Sequence, residues 1–237
     1  MSAYLSSDRR RIKRDRADLG PHSTNLQHAR IRERSNALLR KINSWTSVQL
    51  LYMPQVSLLR TREAESASED TPAPEPEDIQ LWLPSTVARR AFCNPSLQEY
   101  EWELRVAQAH DALHEIRSGL RLRSHLTLFK DRFVRGQRAN TRSQGVIAAC
   151  QARIKNGVEK YKVAHRALVS LGDILGKVGW QQTLRELDEH RDVKGLTSDG
   201  FDEYSESMGR RQLTWIWRTG NVAATGLEGE TQLHDGK

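Results

Sequence analysis

From Ser23 onward the apolar positions fall into a helical rhythm. Ile31, Leu38, Ile42 and Trp45 stand on one stripe with Ser35 in the missing place, at spacings of four and three, the interval that lines up side chains on one face of an α-helix. This helix should start at the capping residues Ser23 to Asn25. It should end before Pro54, because the residue preceding a proline is pushed out of the helical region. Val48, Leu50, Leu51, Tyr52 and Met53 at its end are too apolar to be left in water and predict a covered surface.

A longer pair of stripes follows. Trp102, Val106, Ala109, Leu113, Ile116 and Leu120 alternate spacings of four and three, the pattern of a helix packed along a partner. Leu122, Leu126, Phe129 and Phe133 keep that spacing but begin two residues late, which turns the apolar face by roughly 200°. Gly119 lies at the jump, so the helix either breaks there or faces two neighbours; an intact or mildly bent helix covered on both sides is the expectation. After a basic bend, VRGQRANTR, a second long helix shows Ile147, Cys150, Ile154, Val158, Tyr161, Ala164, Leu168, Leu171 and Leu175 on one face and ends at Gly176 and Gly179. The two helices predict a long antiparallel hairpin with coiled-coil-like packing, over residues 97–175.

Shorter elements surround it. LWLPS, residues 81–85, predicts an extended stretch anchored through Trp82 and then a helical turn before Pro95. Trp180, Leu184 and Leu187 predict a third, shorter helix, and Leu213, Trp215, Ile216 and Trp217 predict a segment that docks back on the hairpin. The fold class is all-α, since no Val/Ile/Thr-rich run argues for a sheet.

Charge changes this picture in two places. Residues 1–23 carry Arg9, Arg10, Arg11, Lys13, Arg14 and Arg16 among Asp8, Asp15 and Asp18, which reads as a disordered basic tail, with a nuclear-import signal or nucleic-acid arm as the sharper readings. Residues 63–78 hold seven acids, no base and three prolines, a composition that cannot bury enough apolar surface to offset chain entropy. Taking those seven charges away raises the formal net charge from +7 to +14, so charge is segregated along the chain. This acidic stretch is expected to fold over a basic surface when no partner is bound. The organisation expected is a disordered basic tail at 1–23, a helical segment at 24–62, an acidic Pro-rich linker at 63–79, the helical hairpin domain at 80–218 and a disordered tail at 219–237.

The excess of base favours polyanionic partners such as DNA. Cys93 and Cys150 form no C-x-x-C pair, so neither a disulfide framework nor a cysteine zinc site is indicated. No run approaches the about 20 apolar residues of a membrane span, and no apolar run of about 7 to 15 residues follows the charged start, so a soluble protein away from membranes is expected.

The strongest candidate chemistry is the basic bend: Lys130, Arg132, Arg135, Arg138 and Arg142, of which the last three would share a helix face if the bend is helical. Arginine forks suit phosphate oxygens, and several such contacts give sequence-independent, salt-dependent nucleic-acid binding. A solvated helix face accounts for the same residues without a partner. No helix-turn-helix, zinc-finger or RNA-recognition signature accompanies them. His110 and His114, four apart, would point the same way as zinc ligands must, but Asp111 stands where the zincin motif has Glu and no third ligand is evident; a place at the seam's edge is the plainer reading. G-x-S-x-G and G-x-x-x-x-G-K-[ST] are absent. No enzyme activity, metal or cofactor is expected.

Taken together and in order, WTSVQLLYMPQV at 45–56, LWLPS at 81–85, ELRVAQAHDALHEIRSGLRLRS at 103–124, VRGQRANTR at 134–142 and RRQLTWIW at 210–217 resemble the C-terminal helical portion of the KDZ (Kyakuja, Dileera and Zisupton) transposases, whose catalytic core is of the RNase H type. The metal-binding acids of that family precede this region, and no position here matches them. The resemblance therefore implies a non-catalytic, transposase-derived accessory region acting on DNA in the nucleus. The alternative is a helical module for self-association or a helical protein partner, without nucleic acid.

Overall fold

The computed structural model of the chain describes residues 2–66, 74–195 and 213–219. Every regular element among them is helical, in agreement with the all-α expectation, and the chain divides into two compact units, Met1–Leu97 and Gln98–Lys237.

In the first unit, α1 (Ser2–Ala17) precedes α2 (Asn25–Tyr52). The second of these begins as its caps predict: Thr24 Oγ1 accepts from the Gln27 N–H while the Gln27 side chain accepts from the Thr24 N–H, a reciprocal capping box. Ile31, Ser35, Leu38 and Ile42 are its buried face, so Ser35 does fill the gap in the stripe. The stretch expected as a disordered tail differs: residues 2–17 are helical, and Leu5 and Ile12 pack with Ile31, Leu38, Ile42 and Leu81. Two apolar residues seven apart lie on one helix face, and that pair, hidden among arginines, is what docks the element. Asp15 pairs with Arg34 at 2.8 Å and Asp8 with Lys41 at 2.8 Å, so early residues of α1 meet late residues of α2.

Pro54 ends α2, and α3 (Val56–Ser66) follows. The expected covering of the α2 end holds only for Met53, which is buried with Val56, Leu59, Trp82, Val87 and Cys93. Leu51 is 80 % exposed and Val48, Leu50 and Tyr52 are exposed as well, because the break at Pro54 turns only Met53 toward that cluster. After the extended residues 81–83 comes α4 (Pro84–Val87) with proline in its first turn. Trp82 is buried as anticipated, at a φ of 48°, a left-handed conformation rare for a bulky residue. Gln49 holds it there by donating to the carbonyls of Leu81 and Trp82.

The acidic linker is helical as far as Ser66. Residues 67–73 lie outside the described residues. Beyond them Glu75, Glu77 and Asp78 lie on α1: Arg16 pairs with Glu75 at 2.6 Å and with Glu77 at 2.7 Å, Lys13 with Asp78 at 2.8 Å, and Arg9 Nε donates to the Glu77 carbonyl. Glu77 is buried and also accepts from Ser35 Oγ. The described part of the acidic stretch thus covers a basic surface, which is a lattice of ion pairs and not a free linker.

In the second unit, α5 (Pro95–Phe133) and α6 (Gln137–Leu175) are the long elements. Their buried residues follow the predicted stripes: Trp102, Ala109, Leu113, Ile116 and Leu120 on one, Cys150, Ile154, Val158, Tyr161, Ala164, Leu168 and Leu171 on the other. Contacts pair early positions of α5 with late positions of α6. Lys177 bonds Glu99, Lys160 bonds Glu115 at 2.6 Å, the Cys150 thiol donates to the Gly119 carbonyl at 3.3 Å, and Arg123 donates to Gln151 at 2.7 Å. Gly119 does not break α5. A Cβ there would stand 2.6 Å from Ile154 Cγ1, so glycine serves close approach of the two helices.

The third helix expected at 180–187 is instead a 3₁₀ turn, Trp180–Gln182, followed by irregular chain and a short α7 (Glu189–Asp192). Tyr161 Oη donates to the Arg185 carbonyl at 2.6 Å, and Asp188 accepts from the N–H groups of His190 and Arg191; these bonds compete with a continuous helix. Leu184 and Leu187 reach the core all the same. The last described element, α8 (Trp215–Arg218), docks as predicted, with Ile216 fully buried and its carbonyl accepting from Arg117 Nε. Of the terminal tail expected at 219–237, all but Thr219 lies outside the described residues.

Candidate nucleic-acid interface

Toward their junction, α5 and α6 stop burying side chains. The last buried residue of α5 is Ser124 and the first of α6 is Cys150. Residues 137–145, QRANTRSQG, offer no large apolar side chain. Of the second apolar stripe only Leu126 is partly buried, packed against the core. Phe129 and Phe133 are 57 % and 68 % exposed, and Leu122 and Leu128 are exposed too. Continuity of α5 is as expected; covering on both sides is not.

The basic residues gather at this junction. Lys130 and Arg132 occupy the last turn of α5, where cations offset the carbonyl end of the helix dipole. The turn itself is only Val134–Gly136, and glycine supplies its φ of 84°. That corrects one expectation: because the bend is not helical, Arg135 does not share a face with Arg138 and Arg142. Its Nη1 donates instead to the carbonyls of Asp131 and Val134, closing the end of α5. Arg138 and Arg142 stand one turn apart at the start of α6, both exposed. That first turn has neither a side-chain cap nor an acid, so nothing local offsets the arginines. Among the described residues Lys130, Arg132, Arg138 and Arg142 have no ion-pair partner. From residue 122 to 149 the chain carries six Lys and Arg against Asp131 alone, a net +5.

No protein-family model, curated protein or solved structure matches this chain. Its function must be read from the surface itself.

Other chemistry finds less support in the geometry. His110 is half-buried and His114 exposed on α5; burial, and then Arg117, push the His110 imidazole below its usual pKa. Among the described residues no group of three or more His, Cys, Asp or Glu side chains is arranged to hold a metal ion. A cleft of about 630 Å³ in the first unit is lined by Leu59, Arg62, Glu63, Gln80, Trp82 and Arg90, with the Arg90 guanidinium 5.2 Å from the Trp82 ring centre; it holds no nucleophile and no paired carboxylates. Among the described residues no helix is long and apolar enough to cross a membrane.

The residues that sequence reasoning passed over are Phe129 and Phe133, read as core because their spacing matched the stripe.

Proposed function

We propose that the chain is a non-catalytic helical accessory region of transposase descent, acting in the nucleus, that grips nucleic acid by its phosphate backbone without reading sequence. One observation carries the binding role: a net +5 over residues 122–149 in which Lys130, Arg132, Arg138 and Arg142 are uncompensated by any described acid. The descent rests on the ordered resemblance to the KDZ transposases. The finer fold reading, that α5 and α6 form an antiparallel hairpin with the basic turn at its tip, is supported by the contact series from 99 and 177 to 123 and 151.

Arginine suits this role because its planar fork binds phosphate oxygens bidentately. Each phosphate neutralised releases counterions, so the logarithm of the affinity falls against the logarithm of salt with a slope of about 0.9 per contact on duplex DNA. The test is binding of the purified chain to short duplex DNA at two salt concentrations, beside a variant with Arg132, Arg138 and Arg142 changed to Ala. Steep salt dependence in the wild type that flattens in the variant supports the reading. Absence of binding, or equal binding by the variant, overturns it and leaves a helical interaction module, for which the exposed Leu122, Leu128, Phe129 and Phe133 speak.

A further inference from the structure

The exposed phenylalanines and the basic turn occupy the same end of α5, and together they specify more than a phosphate grip. Phe129 and Phe133 lie on adjacent turns of one helix face, with ring centres 5.3 Å apart and planes at 42°. Lys130 and Arg132 interleave with them in sequence, and Arg138 and Arg142 follow across the turn. An apolar pair so exposed calls for a partner, and charge selects among the candidates. A second copy of this end would bring another +5 against the first, with like charges opposed at the contact. A duplex presents phosphates, but its bases are stacked on one another and offer the rings little. An unpaired strand presents both phosphates and free base faces.

We infer that this end of α5 and α6 binds single-stranded nucleic acid, with Phe129 and Phe133 stacking on unpaired bases while Lys130, Arg132, Arg138 and Arg142 contact the backbone. Stacking platforms set beside a basic track are the general solution for sequence-tolerant recognition of single strands, because every base has a π-face. The inference rests on the phosphate-binding reading above and narrows it from nucleic acid in general to unpaired strands. DNA and RNA share the chemistry used, so both belong in the test.

The experiment compares the full chain on oligothymidylate, oligouridylate and a blunt DNA duplex of equal length, at one salt concentration, by fluorescence anisotropy. At least one single strand should bind roughly tenfold more tightly than the duplex. Phe129→Ala with Phe133→Ala should remove that preference and leave duplex affinity and the salt slope unchanged. Phe→Trp at both positions should retain it, whereas Phe→Leu, equally apolar without a π-face, should not. Both residues are exposed, so these variants keep the fold, which circular dichroism verifies. Equal binding to all three probes, or a preference that survives Phe→Ala or Phe→Leu, overturns the inference and leaves the phosphate grip standing. Binding to none of the probes overturns both.

Discussion

The chain has two dense clusters of base, and the structure treats them in opposite ways. On α1, Arg9, Lys13 and Arg16 are met by Glu75, Glu77 and Asp78, while Asp8 and Asp15 on the same helix reach Lys41 and Arg34. At the turn between α5 and α6, Lys130, Arg132, Arg138 and Arg142 meet no described acid. Residues 1–18 and 122–149 each hold five arginines and one lysine, yet bases of the first are paired with acids of residues 75–78. A surface available to a polyanion is marked by the absence of compensating acids, not by the number of bases.

The sharpest way to break this contrast is at the open cluster. If the proposed phosphate grip holds, changing Arg132, Arg138 and Arg142 to Ala takes away three charge-assisted contacts, and affinity for nucleic acid should fall roughly a hundredfold or more at moderate salt. Thermal stability should stay within about 0.5 kcal/mol, as for surface substitutions elsewhere. Glu77→Ala reverses the pattern. It strips Arg16 and Ser35 of a buried carboxylate, and since one side of the pair remains partly open to water the cost should be about 2 kcal/mol, read as an earlier urea midpoint. Affinity at the α5–α6 turn should not change.

How far this contrast was legible in the sequence differs element by element. The stripes of α2, α5 and α6 were readable because each helix buries one face along a continuous partner, so period alone names Ile31, Leu113 or Val158 as core. Leu5 and Ile12 were hidden because two apolar residues among six bases make too weak a stripe to notice, and what docks them, the α2 face, lies far along the chain. The helix expected at 180–187 failed because its backbone is held by tertiary bonds, Tyr161 to the Arg185 carbonyl above all. At the candidate site the bases were found by counting, but period could not tell a covered Phe129 from a bare one. That distinction comes from burial, which leaves Phe129 and Phe133 exposed.

A smaller effect separates neutralisation from mere packing at α1. Glu75 and Asp78 are about half exposed, at 55 % and 50 %, so Glu75→Gln with Asp78→Asn should cost no more than about 1 kcal/mol. If these acids screen α1, the double variant should bind a nucleic-acid probe a few-fold more tightly, with a steeper salt slope. Unchanged binding would show that the acids hold α1 in place and screen nothing.

The smallest effect comes from acid, and it falls on the body of the second unit, not on its basic turn. His165 stacks on Tyr161, with ring centres 5.9 Å apart, and meets Trp180 at a tilt, 5.5 Å away. Burial lowers its pKa from 6.5, against the opposing pull of Glu186 and of a backbone bond at Leu184. A histidine held neutral in the fold but free to charge when unfolded gives stability that is fully present above about pH 6.5 and is lost as pH falls through the folded value. His110, lowered by burial and Arg117, adds in the same direction. Thermal melting of the chain should therefore shift down between pH 7.5 and pH 5, and His165→Phe, which cannot charge, should flatten that dependence. Arginine keeps its proton at every pH in this range. Nucleic-acid binding should consequently hold steady as the melting point slides, and fail only where the helices themselves give way; binding that tracked the histidine titration would mean the basic turn is coupled to the aromatic core and is not an independent surface.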